Sequence, residues 1–388
     1  MQASGAVVAR VGDTVVMAAV VMSQKPRDGI DYLPLMVDYE EKLYAAGKIK
    51  GSRWVKREGR PSDEAILSGR VIDRSLRPMF DESIRNDIQV VVTVLSVDGE
   101  NDPDIIGLNA AAAAIEISDI PWDGPIGAVR VGKVNGDFVI NPSFTAQETE
   151  SVLDLIVSGT EDHIIMVEAG ASEVAEEEIL KAIAVAQQEI KKIIAGIKHL
   201  TKDSQPQKRE LTKFSPSAEL ADKVKAYKDQ LKKAVFILDK KQREEAIVEV
   251  RAKAMSDLAG ADDPLEADKK AVNYVLDKLT KEIIQEGVLT ESKRTDGRKL
   301  DEIRPISCEV GLLPRVHGTG LFQRGETQVL TTVTLGGPDD VQLVEDIDTE
   351  QERSKDQESG NENTNTGPNK IGQQFEPIHP GLAPLEPP

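Results

Sequence analysis

The sequence predicts a mixed α+β fold, two units of hairpins and amphipathic helices separated by an all-helical insert. Three observations carry this. Through the first 170 residues, β-branched runs alternate with stretches of helical spacing. From Ser217 to Glu286 the strand signal gives way to charged amphipathic stretches. A hairpin pattern at residues 12–20 then returns at residues 325–333.

Taken in order, Val7–Val11 and Thr14–Met22 flank Gly12-Asp13, a two-residue hairpin turn. Asp63–Leu76 reads as a helix capped by Ser62 and stopped by Pro78. Ile88–Val97 is β-branched, and Ile105–Ile117 is an alanine-rich helix suited to close packing. The points Gly127, Gly132 and Gly136 lack phosphate-loop spacing and read as hairpin turns. Short strands are expected at Leu153–Val157 and His163–Glu168. A helix over Ser172–Gly196 follows, with Val174, Ile179, Ile183, Ala186, Ile190 and Ile194 on one face and Gly196 in its C′ position.

Residues 201–215 are a polar linker, and residues 216–290 form the helical insert, broken near Gly260–Pro264. Strand signals resume at Ile303–Val310, with Cys308 as a core residue, and at Gln328–Leu335. Both hairpins follow G-[DE]-T-x-V-[ML]-[AT]-[AT]-V at a constant offset that also pairs Gly5 with Gly318. Chance similarity of two turn-plus-valine runs is the alternative, but a domain duplicated around an insert explains more. The expected organisation is a first core at 1–200, an incomplete second core at 291–345 and a tail at 346–388. That tail holds six Pro and nine acids against three bases, a composition expected to stay disordered. The loss of pattern after about Glu345 raises a frameshift or truncation, and both ends look cut.

Of the 388 residues, 39% are hydrophobic and 4% aromatic, too few rings for a base-stacking platform to be the main binding mode. No run reaches the ~20 apolar residues of a membrane span, and a single cysteine excludes an internal disulfide or a multi-Cys zinc site. These features suit a cytoplasmic chain without a membrane partner. The net charge of −19 would repel nucleic acid, yet residues 48–77 gather nine Lys/Arg against four acids. A polyanion site is therefore expected there.

Several motifs together carry a resemblance. Asp31-Tyr32-Leu33-Pro34-Leu35, Tyr44-Ala45-Ala46-Gly47-Lys48-Ile49, Lys56-Arg57-Glu58-Gly59-Arg60-Pro61-Ser62 and Ile72-Asp73-Arg74-Ser75-Leu76-Arg77-Pro78 closely resemble the first core of bacterial polynucleotide phosphorylases. Arg294-Thr295-Asp296-Gly297-Arg298 and Leu321-Phe322-Gln323-Arg324-Gly325-Glu326-Thr327-Gln328 look like the opening of that family's second core. The resemblance implies ribonuclease PH-like cores (the ribosomal protein S5 domain 2-like fold), a homotrimer and 3′-to-5′ phosphorolysis of single-stranded RNA. It also implies Mg²⁺, inorganic phosphate as co-substrate and a place in an RNA-degradation complex. The family's phosphate and metal groups lie in the part of the second core that has no counterpart here, so no catalytic or metal residue is assigned.

Phosphate binding at a helix start needs free N–H groups, and here Asp102 and Asp104 occupy the start of the alanine-rich helix. They are expected to cap it and to repel phosphate. The RNA-guiding candidates are Lys56, Arg57 and Arg60 on a Gly/Pro-rich loop, with Trp54 able to stack one base. Arg70, Arg74 and Arg77 share a helix face opposite Ala65, Ile66, Ile72 and Leu76, and are read as mainly structural. For the whole stretch, surface ion pairs with Asp63, Glu64 and Asp73 are the competing reading. His317 and Arg324 flank the second hairpin as further RNA candidates, with plain hydrogen bonding as the alternative for the histidine.

Overall fold

The structure is a computed structural model that describes residues 2–27, 29–30, 32–49, 59–204, 206–211, 216–258, 266–336, 342–345, 347 and 350–353. Its described residues divide into two compact units, 2–211 with 336–353, and 216–335.

In the first unit, β1 (Gly5–Val11) and β2 (Thr14–Pro26) form the expected hairpin, with Gly12 at φ 58° in the turn. β3 (Leu35–Glu40) leads through a 3-10 turn at Leu43–Ala46 towards α1 (Asp63–Leu76). Ser62 caps α1, its Oγ accepting from the Ala65 N–H at 2.9 Å. A 3-10 turn at Arg77–Met79, containing Pro78, ends that helix before β4 (Asn86–Ser96) and α2 (Pro103–Glu116). The order is β1-β2-β4-β3, with β3 parallel to β4 and lying at the sheet edge.

Strand alternation buries Val16, Ala18 and Val20 of β2 and Val90, Val92 and Val94 of β4 on one face. That face lies against α2, whose Ala110–Ala114 side chains are small enough for close approach. The Trp122 ring packs on Phe80, centroids 6.1 Å apart, and its Nε1–H donates to Glu116.

The second sheet of this unit has the order β6-β5-β7-β8: β5 (Gly127–Val134), β6 (Asp137–Ile140), β7 (Ser151–Gly159) and β8 (Ile164–Ala171), with the short α3 (Phe144–Thr149) between β6 and β7. α4 (Glu176–Ser204) covers it, placing Ala182, Ala186, Ile190 and Ile194 against Val129, Val131, Leu155 and Val157. α4 runs through Gly196, which is therefore not a C′ glycine: Ile197 continues the buried stripe one turn later. Gly127 and Gly132 lie within β5, and only Gly136, at φ 93°, makes a turn.

The second unit contains α5 (Ala218–Lys225), α6 (Lys228–Val235), α7 (Lys240–Leu258) and α8 (Glu266–Glu291), closed around Val224, Leu231, Val272, Leu276 and Ile283. A three-stranded antiparallel sheet follows: β9 (Ile306–Val310), β10 (Gly318–Arg324) and β11 (Thr327–Val333), in the order β11-β10-β9. Cys308, read as core, is exposed on β9, because no helix among the described residues packs on that strand. Glu350–Arg353, placed in the tail by composition, forms β13 against β12 (Gln342–Glu345), their backbones pairing in antiparallel register. No helix of the described residues is long and apolar enough to cross a membrane.

Candidate nucleic-acid interface

Between the edge strand β3 and α1 runs an open groove of about 340 Å³, lined by Met36, Asp38, Glu40, Pro61, Ile66 and Arg70 among others. Ile66, expected opposite the arginines, is 51% exposed and faces this groove. Each lining acid is engaged. Asp38 accepts from Gln89 at 2.8 Å, Glu40 pairs with Lys42 at 2.8 Å, and Asp73 pairs with Arg77 at 2.6 Å. Arg70 is exposed and has no ion pair among the described residues, and neither has Arg60, next to Pro61 on the rim. Two free cations thus border a groove whose carboxylates are all engaged, Glu40 and Asp73 by cations and Asp38 by the Gln89 amide.

The other candidates separate cleanly. Arg74 pairs with Glu168 of β8 at 3.1 Å. Arg77 clasps Asp73 through both Nε and Nη2, and it also donates to the Leu33 and Leu35 carbonyls. Arg77 therefore fastens α1 to the segment entering β3. His317 accepts the Leu335 N–H at Nδ1, at 2.9 Å, as in the plain reading. Arg324 is exposed on β10 without an ion pair among the described residues. Trp54, Lys56 and Arg57 lie outside the described residues.

Behind α1 lies a polar cluster of which sequence reading names only Asp102 and Asp104. Asp102 caps α2, accepting from the Asp104 N–H at 2.8 Å, and its other oxygen takes the Arg130 Nε–H at 2.7 Å. Arg130 Nη1 reaches both oxygens of Asp154, at 2.6 and 2.7 Å. Burial alone would lower the Arg130 pKa, but the charges of Asp102 and Asp154 hold it above its ordinary value. Asp104 is turned inward and accepts the Ser68 hydroxyl at 2.8 Å. The Tyr39 hydroxyl faces that carboxyl without a well-formed hydrogen bond. Burial first, and the Asp102 charge second, push the Asp104 pKa up to about 7. The sequence signal for the cationic member of this cluster is one arginine inside the apolar run Ala128-Val129-Arg130-Val131.

Asp102 caps α2 and meets the positive end of its dipole, as expected. The cluster does not fit Mg²⁺: one Asp102 oxygen and both Asp154 oxygens bond Arg130, the other Asp102 oxygen caps α2, and no three His, Cys, Asp or Glu among the described residues converge as metal ligands.

The family model for "3′ exoribonuclease family, domain 1" matches residues 1–121 and again 302–367, and that for domain 2 matches residues 124–189. Between them, residues 219–299 match "Polyribonucleotide nucleotidyltransferase, RNA binding domain". The chain belongs to the polyribonucleotide nucleotidyltransferase family. The double match of one domain model agrees with the internal repeat read from the two hairpins. Polyribonucleotide nucleotidyltransferases of Heliobacterium modesticaldum and Halothermothrix orenii are 46% and 47% identical to it, over 91% and 88% of this chain. The chain spans about half of each relative's own length, 49% in both. The crystal structure of rice (Oryza sativa) Rrp46 overlaps 52% of this chain and 90% of its own, at 16% identity and a TM-score of 0.43.

Proposed function

We propose that this chain is the RNA-guiding part of a cytoplasmic polynucleotide phosphorylase, which degrades RNA from its 3′ end by phosphorolysis to nucleoside diphosphates. Arg60 and Arg70 bind successive phosphates of single-stranded RNA along the β3–α1 groove, together with Lys56 and Arg57, while Trp54 stacks one base. The observation that carries this reading is the pair of free arginines beside a groove whose acids are all engaged. Mg²⁺ and inorganic phosphate act elsewhere in the enzyme, whose working form is a homotrimer within an RNA-degradation complex. A second reading, an RNA-binding or assembly subunit without chemistry, is favoured by the capped start of α2.

The test is ADP release from poly(A) by the purified chain with Mg²⁺ and phosphate, run beside filter binding of the same RNA. Binding without release is the expected result for the isolated 388 residues. Release would mean that a working centre lies within them, and absence of binding would remove the RNA assignment.

A further inference from the structure

α1 is held unevenly along its length. Its C-terminal half buries Val71, Ile72 and Leu76, takes a hydrogen bond from the Ser158 hydroxyl of β7 to Ser75 Oγ at 2.8 Å, and ends on Arg77, clasped to Asp73 and to the Leu33 and Leu35 carbonyls. The N-terminal half, Asp63–Arg70, buries only Ala65, Ser68 and Gly69 and leaves Ile66 and Leu67 half exposed. Hydroxyls fasten this half. Ser62 Oγ, at the cap, donates to Glu41 at 2.6 Å, and Ser68 Oγ donates to the Asp104 carboxyl of α2 at 2.8 Å.

Asp104 is a poor place to keep a charge. It has no ion pair among the described residues, because Arg130 of β5, the cation that faces it, is taken by Asp102 and by Asp154 of β7. From β3 comes the Tyr39 hydroxyl, which lacks a well-formed hydrogen bond, with Glu41 beyond it. β2 and β4 bring only the apolar Val16 and Val92, which meet the next turn of α2 at Gly107. An ionised Asp104 thus meets two hydroxyls, an arginine already engaged and the like charge of Asp102. Lifting the N-terminal half of α1 would expose the carboxyl to solvent and remove that penalty.

We propose that Asp63–Arg70 is a proton-gated flap, closed on β3 and α2 while Asp104 is protonated and swinging out about the Ser75–Arg77 anchor when Asp104 ionises. Ile66 and Arg70 ride on the flap while Met36 and Asp38 stay on β3, so the groove between them widens as pH rises. The sign follows from the proton released on opening. A solvated Asp104 ionises near 3.8 and the enclosed one near 7, so each pH unit between these values favours the open flap, and above about 7 the gain stops. The device rests on how α1 is fastened and not on the RNA reading, so either can fail alone.

Amide hydrogen exchange of the full chain, read by mass spectrometry from pH 5 to 8 and corrected for the intrinsic exchange rate, tests this. With one proton released per opening, protection over residues 63–70 is expected to fall about three- to tenfold per pH unit up to about 7 and then level off. Asp104→Asn, which cannot ionise and keeps an acceptor for Ser68, should hold that protection flat. Ser68→Ala, which removes a hydroxyl that favours the ionised carboxyl, should carry the fall past pH 7. The strands Gly127–Val134 and Ser151–Gly159 should stay more protected than the flap throughout. Equal protection in flap and strands would make the opening a global unfolding and overturn the proposal. So would the same pH dependence in the wild type and in Asp104→Asn.

Discussion

Enclosed by Ser68, Tyr39 and Asp102, the Asp104 carboxyl is harder to ionise than an aspartate in water, and burial is the main cause. The unfolded chain releases this proton near 3.8, the folded chain near 7. Between those values the folded state holds more protons, so stability falls as pH rises through the window and levels off above it. Asp104→Asn should therefore flatten the fall of Tm between pH 5 and 7.5, while keeping an acceptor for Ser68. Melts of both proteins at half-unit steps check this, and parallel curves would refute it. The arginines of α1 make a second contrast. Arg77→Ala should cost about 1–2 kcal/mol, since it unfastens two carbonyls and Asp73 at a half-exposed site, and should leave RNA affinity unchanged. Arg70→Ala should leave the free energy of unfolding within about 0.5 kcal/mol and weaken RNA binding several-fold, in denaturation and filter-binding assays respectively.

Helix α4 supplies the prediction at the scale of an element. Gly196 sits inside it with nothing within 4 Å of a Cβ, so Gly196→Ala should stabilise the first unit by up to about 1 kcal/mol, read from the denaturant midpoint. The same glycine shows where reading from sequence stops. Local chemistry settles a turn such as Gly12-Asp13 or a cap such as Ser62, and these lie where spacing puts them. A glycine in a helix, by contrast, obeys the packing beyond it, and Ile197 keeps α4 going. Gly127 and Gly132 are strand residues because β7 pairs with β5, a long-range fact that a turn rule does not contain. Cys308 has a core residue's pattern, and it is exposed for want of a covering layer. Of the candidate site, the basic stretch was legible as composition. The division of labour among its arginines depends on which carboxylates the fold brings near, and the Asp102–Arg130–Asp154 cluster joins segments more than 20 residues apart.

For the molecule as a whole, a net charge of −19 sets the background against which RNA must approach. Binding should consequently weaken steeply with salt, because it depends on local cations that release counterions from the strand. Replacing Lys56, Arg57 and Arg60 together by alanine should reduce the log–log salt slope by up to about 2, at ~0.7 per phosphate contact on a single strand. An unchanged slope would exclude that loop from the path. The packing of Trp122 on Phe80 has an optical consequence. The chain has two tryptophans; Trp122 lies in the first unit and Trp54 falls outside the described residues. Trp122 emission reports the first unit, whereas circular dichroism at 222 nm also registers the helices around Leu231 and Leu276 strongly. Where the two signals part company during unfolding, the helical unit is melting apart from the first.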